Sequence, residues 1–129
     1  METGKFISLD ELRKLSKNDL EFERDVIKTF VSELLNDAER ANACVAKQDW
    51  EGLNIVAHKM KPTLHIIEIN ELLSTILKIE EYSKWKTSLD EMPKLINDLN
   101  RIAGRAAEEL NMQLKKYGKS FVDVAGFLH

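Results

Sequence analysis

The stretch IVAHKMKPTLHIIEI, residues 55–69, decides the fold of this chain. On a helix of about 100° per residue, apolar side chains here and just upstream form one stripe: Leu53, Val56, Ala57, Met60, Leu64 and Ile67. Polar side chains share a neighbouring flank: Asn54, His58, Lys61 and His65. The pattern predicts a helix that buries one side and exposes two imidazoles and an ammonium group to water.

The chemistry of this flank suits a phosphoryl group. An imidazole has an ordinary pKa of about 6.5, so much of it is uncharged near neutral pH and a free ring nitrogen is a nucleophile. Lys61 follows His58 by one turn and could hold an anion attached to the ring. The simpler alternative is an exposed histidine without any role.

Helical periodicity continues on both sides of this stretch. Ser8-Leu9-Asp10-Glu11 reads as a capping box that opens a short first helix. Lys17-Asn18-Asp19 can cap a long amphipathic pattern that runs from about Asp19 to Lys47, and Asp49 can cap the His58 helix. Asn70 is a plausible cap for the next helix.

The last predicted helix begins near Asp90, because Pro93 fits only within a first turn. It continues to about Leu114, with Tyr117-Gly118 as a stop. No strand-like alternation of useful length occurs. We therefore predict an all-α protein, an up-and-down four-helix bundle with a short additional N-terminal helix, in which residues 1–118 form the domain and 119–129 a tail.

Composition limits the classes of function. The 129 residues suffice for one domain, and 43% hydrophobic with 32% charged residues fits a compact helical protein. A net charge of -3 without a basic block argues against nucleic-acid binding. The single cysteine, Cys44, excludes an intramolecular disulfide, and no apolar run is long enough to cross a membrane. We expect a soluble, cytoplasmic monomer.

Metal and carboxylate chemistry find little support in the sequence. His58 and His65 are two turns apart, too far to share a metal, and Glu-x-x-His is absent. We expect no metal and no cofactor of the protein's own. The adjacent carboxylates Glu80-Glu81 point in different directions on a helix and are interpreted as a solvated face.

The run Ala57-His58-Lys59-Met60-Lys61 resembles the signature A-H-x-L-K-G of histidine phosphotransfer (HPt) domains. Asp49-Trp50-Glu51 lies where that family usually has G-D-W, and Glu71-Leu72-Leu73 lies where its next helix begins. The resemblance covers residues 8 to 115, roughly. Pro62 replaces the glycine after the lysine, and Glu68 stands near a second family glycine.

The resemblance implies a bundle with an exposed phosphoacceptor, His58, midway along one helix, and Lys61 as the residue that stabilises the phosphate. Asn54 and His65 are candidate contacts to the partner. The implied partner is the receiver domain of a hybrid sensor histidine kinase, of a response regulator, or of both, and it would bring the Mg²⁺.

Two other functions remain open. The chain could be a helical adaptor that does not accept phosphate, which the departures at Pro62 and Glu68 permit. It could also be the dimerising part of a histidine kinase, but that module typically has an acidic residue after the histidine, where this chain has Lys59. Nucleotide-binding glycine motifs are absent, so we expect a phosphocarrier without kinase activity of its own.

Overall fold

The structure is a computed structural model that describes the backbone of residues 7–128 and the side chains of residues 7–116. Within residues 7–128 it contains no β-strand, and all long elements are α-helices. These are α1 (Asp10–Ser16), α2 (Leu20–Ala46), α3 (Trp50–Ile66), α4 (Asn70–Trp85) and α5 (Met92–Leu128), with a 3₁₀ helix at Leu89–Glu91. The predicted all-α class is confirmed. Residues 1–6 of the predicted domain and His129 of the predicted tail lie outside the described residues.

Caps fix where α2 and α3 begin. The Asp19 side chain accepts a hydrogen bond from the Phe22 N–H at 3.0 Å, and the Asp49 side chain accepts one from the Gly52 N–H at 2.9 Å. Each aspartate thereby satisfies an N–H that has no partner within its helix. Both predicted caps are confirmed.

Two other predicted caps are wrong. Ser8 accepts a 3.3 Å hydrogen bond from the Asp10 N–H, but α1 begins after Leu9, which makes no side-chain cap. Asn70 is already the first residue of α4, and Ile69 precedes it as an uncapped N-cap. Ser8 lies one residue before the actual N-cap, and Asn70 lies one residue after it; sequence patterns place helix starts only to within a residue or two.

Helix α3 buries the predicted stripe. Its core positions are almost inaccessible to water, at 9% exposure or less: Leu53, Val56, Ala57, Met60, Leu64 and, just after the helix, Ile67. Pro62 lies inside the helix without ending it. The opposite flank is therefore left for solvent and for α4.

The backbone is left-handed in the turns on both sides of α3. Glu68 has a φ of 49°, in the left-handed region that glycine adopts without steric cost. Gln48, in the turn between α2 and α3, has a φ of 56°. Both turns thus use a backbone conformation that is costly for the residues present.

The predicted stop of the last helix is wrong. Helix α5 continues past Tyr117 and Gly118 to Leu128, whereas Pro93 does lie in its first turn as predicted. A glycine inside a helix costs only about 1 kcal/mol relative to alanine, so Gly118 weakens the helix without ending it. The predicted tail is therefore helical over 119–128.

The helices pack around one apolar core. The main contacts between long helices join α3 to α4, α2 to α5, α2 to α3 and α4 to α5, and α1 packs on α2. Asn42 of α2 and Asn100 of α5 exchange side-chain hydrogen bonds of 2.8 and 3.1 Å. Helix α3 is thus held between α2 and α4.

In the part of the chain that the structure describes, no helix combines the length and apolar character that a membrane span requires.

Candidate functional site

The polar flank of α3 meets one carboxylate from α4. His58, Lys61 and Asn54 all bond to Glu80, through either its side chain or its backbone carbonyl. The pairing follows from the short turn between the helices, since antiparallel neighbours meet at equal distances from their turn. His58 and Glu80 each lie eleven residues from Ile69.

The imidazole of His58 is both exposed and held. Its side chain is 71% exposed, and Nδ1 lies 2.7 Å from Oε2 of Glu80. A carboxylate acceptor at this distance favours the tautomer with the proton on Nδ1. The other ring nitrogen, Nε2, then has its lone pair free, and it forms no hydrogen bond with the described residues.

Lys61 completes the pair of groups that face Glu80. Its Nζ lies 2.9 Å from Oε1, and its side chain is 27% exposed. One turn of helix separates it from His58, as predicted. The ammonium group is therefore beside the imidazole and already desolvated in part.

Glu80 is the site residue that the sequence analysis missed. Its side chain is only 18% exposed, so the predicted solvated face is wrong at this position. The hydrogen bond from Lys61 lowers the pKa of the Glu80 carboxyl, and the bond with His58 adds to the effect, while burial opposes both. Glu80 consequently stays ionised at neutral pH.

The backbone around Glu80 is fixed as well. The amide of Asn54 donates to the Glu80 carbonyl at 2.8 Å, and the Ser83 hydroxyl donates to the same oxygen at 3.1 Å. Asn54, a predicted partner contact, is thus engaged in joining α3 to α4. This hydrogen bond from the Asn54 side chain fixes where the Glu80 backbone lies relative to His58.

His65 and Lys59 lie apart from this group. His65 is exposed near the end of α3, and no hydrogen bond or ion pair to another described residue is formed by its ring. Lys59 points to α2, where Nζ lies 3.2 Å from Oδ1 of Asp37. Lys59 therefore lies on a different side of α3 from His58.

Two large apolar side chains lie one turn from the site residues. Ile55 precedes His58 on α3 and is 67% exposed, and Leu77 precedes Glu80 on α4 and is 47% exposed. Pro62 is exposed as well. The imidazole is therefore accompanied by apolar surface on both helices that carry the site.

Other chemistry is weakly supported. Over the described residues, no group of three or more His, Cys, Asp or Glu side chains is placed to hold a metal ion. Burial raises the pKa of the Cys44 thiol, and the Asp49 carboxylate raises it further, so this thiol is a poor nucleophile near neutral pH. His58 remains the best candidate nucleophile.

Comparison of the chain with models of protein families, with curated proteins and with solved structures gives no match.

Proposed function

We propose that this protein is a histidine phosphotransfer protein, which carries a phosphoryl group between receiver-domain aspartates of a two-component phosphorelay on His58. One observation supports the proposal above others: an imidazole that is 71% exposed is held at Nδ1 by a partly buried carboxylate. That arrangement leaves Nε2 free to react with a large partner. The sequence resemblance to HPt domains points to the same residue.

In the proposed transfer, His58 is the group of this chain that forms a bond to phosphorus. The Nε2 lone pair of His58 attacks the phosphorus of an aspartyl phosphate in line, and the P–O bond to the aspartate breaks. The aspartate leaves as a carboxylate, and the ring keeps its Nδ1 proton, so it gains positive charge. Glu80, 2.7 Å from Nδ1, stabilises that charge, and transfer to the next aspartate is the reverse reaction.

Lys61 supplies the second charge. Its ammonium group pairs with Glu80 in the unphosphorylated protein, and it lies one turn from His58. A phosphoryl group on Nε2 adds negative charge there, and Lys61 can turn to it because a quarter of its side chain is already exposed. Phosphoryl transfer needs mainly positioning and charge neutralisation, so the receiver's Mg²⁺ supplies what this site lacks.

Exposed apolar side chains beside the site would contact the receiver. Ile55 and Leu77 form the apolar surface on which a receiver docks, and such contacts are small enough for transient exchange.

The contacts between neighbouring helices support an up-and-down four-helix arrangement with α1 as the additional helix. We place the protein in the cytoplasm as a monomer, without kinase activity or a cofactor of its own.

The test is transfer of a labelled phosphoryl group to this chain from receiver domains that carry it as an aspartyl phosphate, in the presence of Mg²⁺. We expect label on this chain that is labile in acid and stable in alkali, and its loss in His58→Gln. His65→Gln is the matched control and should still accept label, because His58 is unchanged. Label that persists in His58→Gln would contradict the assignment of the site.

One observation favours an alternative. Pro62 is exposed where the family has a glycine beside the histidine, so a receiver could bind without reaching Nε2. The chain would then be an adaptor that does not accept phosphate. Binding of receiver domains that is unchanged by His58→Gln, together with no label on the native chain, would favour this function.

A further inference from the structure

The turn of α3 that carries His58 lacks one backbone hydrogen bond. Proline has no N–H, so Pro62 cannot donate to the carbonyl of His58, four residues earlier. Proline inside a helix also pushes against that carbonyl and tends to bend the chain. Helix α3 nevertheless continues to Ile66. The helices that pack against α3, namely α2 and α4, are in place to hold this turn.

Two carboxylates, one from each neighbouring helix, contact this turn. Glu80 of α4 bonds to His58 and Lys61, and Asp37 of α2 bonds to Lys59 at 3.2 Å. Asp37 and Lys59 each lie eleven residues from Gln48 in the turn between α2 and α3. The turn is thus tied on both sides, at adjacent residues.

Asp37 is an unusual residue for this place. Its side chain is only 6% exposed, whereas those of its two partners, Lys59 and Arg40, are 53% and 59% exposed. Removing a carboxylate from water is costly. Apolar residues at the positions of a buried ion pair often give a protein the same stability or more. Arg40, three residues along the same helix, already pairs with the same oxygen at 3.0 Å. The pair with Lys59 is the one that joins α2 to α3.

We propose that Asp37 is a positioning residue for His58: through Lys59 it holds the turn of α3 that Pro62 has weakened. The contact fixes the rotation of α3 about its axis, so that the imidazole faces Glu80. The expected effect of Asp37 on phosphoryl transfer rests on the proposed function. Its expected effect on the turn that carries His58 does not, because that turn is present without phosphate.

A double-mutant cycle tests the link between Asp37 and Pro62. In Asp37→Asn we expect amide hydrogen exchange within residues 58–64 to rise by about threefold or more, and phosphoryl acceptance to fall by a similar factor. Pro62→Ala restores the missing N–H, so adding Asp37→Asn to that variant should have less than half the effect. Non-additivity of this kind is not expected from two independent structural residues.

Two single variants serve as matched partners. Lys59→Met breaks the contact between helices and leaves Asp37 paired with Arg40, so it should reproduce the change in exchange and keep the fold. Arg40→Met leaves the contact between helices intact and should stay within about twofold of the native chain.

Equal effects of Asp37→Asn with and without Pro62 would overturn the proposal, as would faster exchange that is spread evenly over α3. A native chain that accepts no phosphate would overturn the proposed function instead, since the exchange measurements would still test the role of Asp37.

Discussion

Helix α3 carries two exposed histidines, and the residues of α4 that lie opposite them differ. His58 lies opposite Glu80, and two turns further His65 and Leu73 occupy equivalent positions, each four residues from Ile69. Leu73 packs against the apolar core, and Glu68 takes the place that Lys61 has relative to the first histidine. The same flank of one helix thus holds one imidazole that bonds to a carboxylate and lies beside an ammonium group, and a second that bonds to neither kind of group among the described residues. Exposure alone does not make a site.

The largest effect should come from making the first position resemble the second. Glu80→Leu removes the carboxylate that holds Nδ1, and we expect phosphoryl acceptance from a phosphorylated receiver to fall by about tenfold, or 1.4 kcal/mol of activation free energy. Glu80→Gln should fall by less, since its amide oxygen still accepts the Nδ1 proton. An unchanged rate in Glu80→Leu would show that the difference between the two histidines has no chemical meaning.

Lys61→Met should have the next largest effect. Acceptance should fall by about threefold to fivefold, because the charge that meets the phosphoryl group is lost, and Lys61→Arg should retain most of the rate. The pKa of the Glu80 carboxyl should also rise in Lys61→Met, since the bond from Lys61 is the main cause of its lowering. An NMR titration of Glu80 measures this directly, whether or not phosphate is transferred. A carboxyl that titrates as in the native chain would refute the electrostatic link.

The far end of α3 offers a test of stability. Glu68→Gly should raise the free energy of unfolding by about 1 kcal/mol, because the left-handed conformation costs glycine nothing. Lys78→Gly, in the exposed middle of α4, should lower it by a similar amount, about 1 kcal/mol. Urea unfolding of both variants checks the opposite signs. A loss of stability in Glu68→Gly would mean that its side chain matters more than its backbone.

The smallest effect concerns pH. The pKa of the Glu80 carboxyl is lower in the folded chain than in the unfolded one. Its contribution to stability is therefore complete above the unfolded pKa, about 4.3, and is lost as the pH falls through the folded value. The stability difference between the native chain and Glu80→Gln should accordingly shrink as the pH falls below about 4.3. Exposed Glu81→Gln is the control, and a difference that grows as the pH falls below that value would contradict the sign.

The sequence predicted α3 well because the patterns that indicate this helix involve residues that are close together in the chain. The apolar stripe of α3, the caps at Asp19 and Asp49, and the shared flank of His58 and Lys61 all follow from helical spacing. Gly118 was misread because a helix ends at glycine only when the backbone turns left-handed there, and that depends on packing. The left-handed residue at the end of α3 is Glu68, which no residue preference predicts.

Glu80 was missed for a different reason. The residue that faces His58 is 22 positions away, and only the pairing of α3 with α4 brings it near. A signal was present: once the turn is placed at Ile69, counting eleven residues in each direction gives His58 and Glu80. The same count about Gln48 gives Asp37 and Lys59. Short turns between antiparallel helices therefore make such pairs predictable, provided that the turn is located correctly.

The most direct test of the account identifies the atom that receives the phosphoryl group. The chain, labelled with ¹⁵N at histidine, is phosphorylated by a receiver domain and examined by ³¹P–¹⁵N correlation NMR. We expect a single N–P bond at Nε2 of His58, with the proton retained on Nδ1 beside Glu80. A phosphoryl group on Nδ1, on His65 or on an oxygen would contradict it.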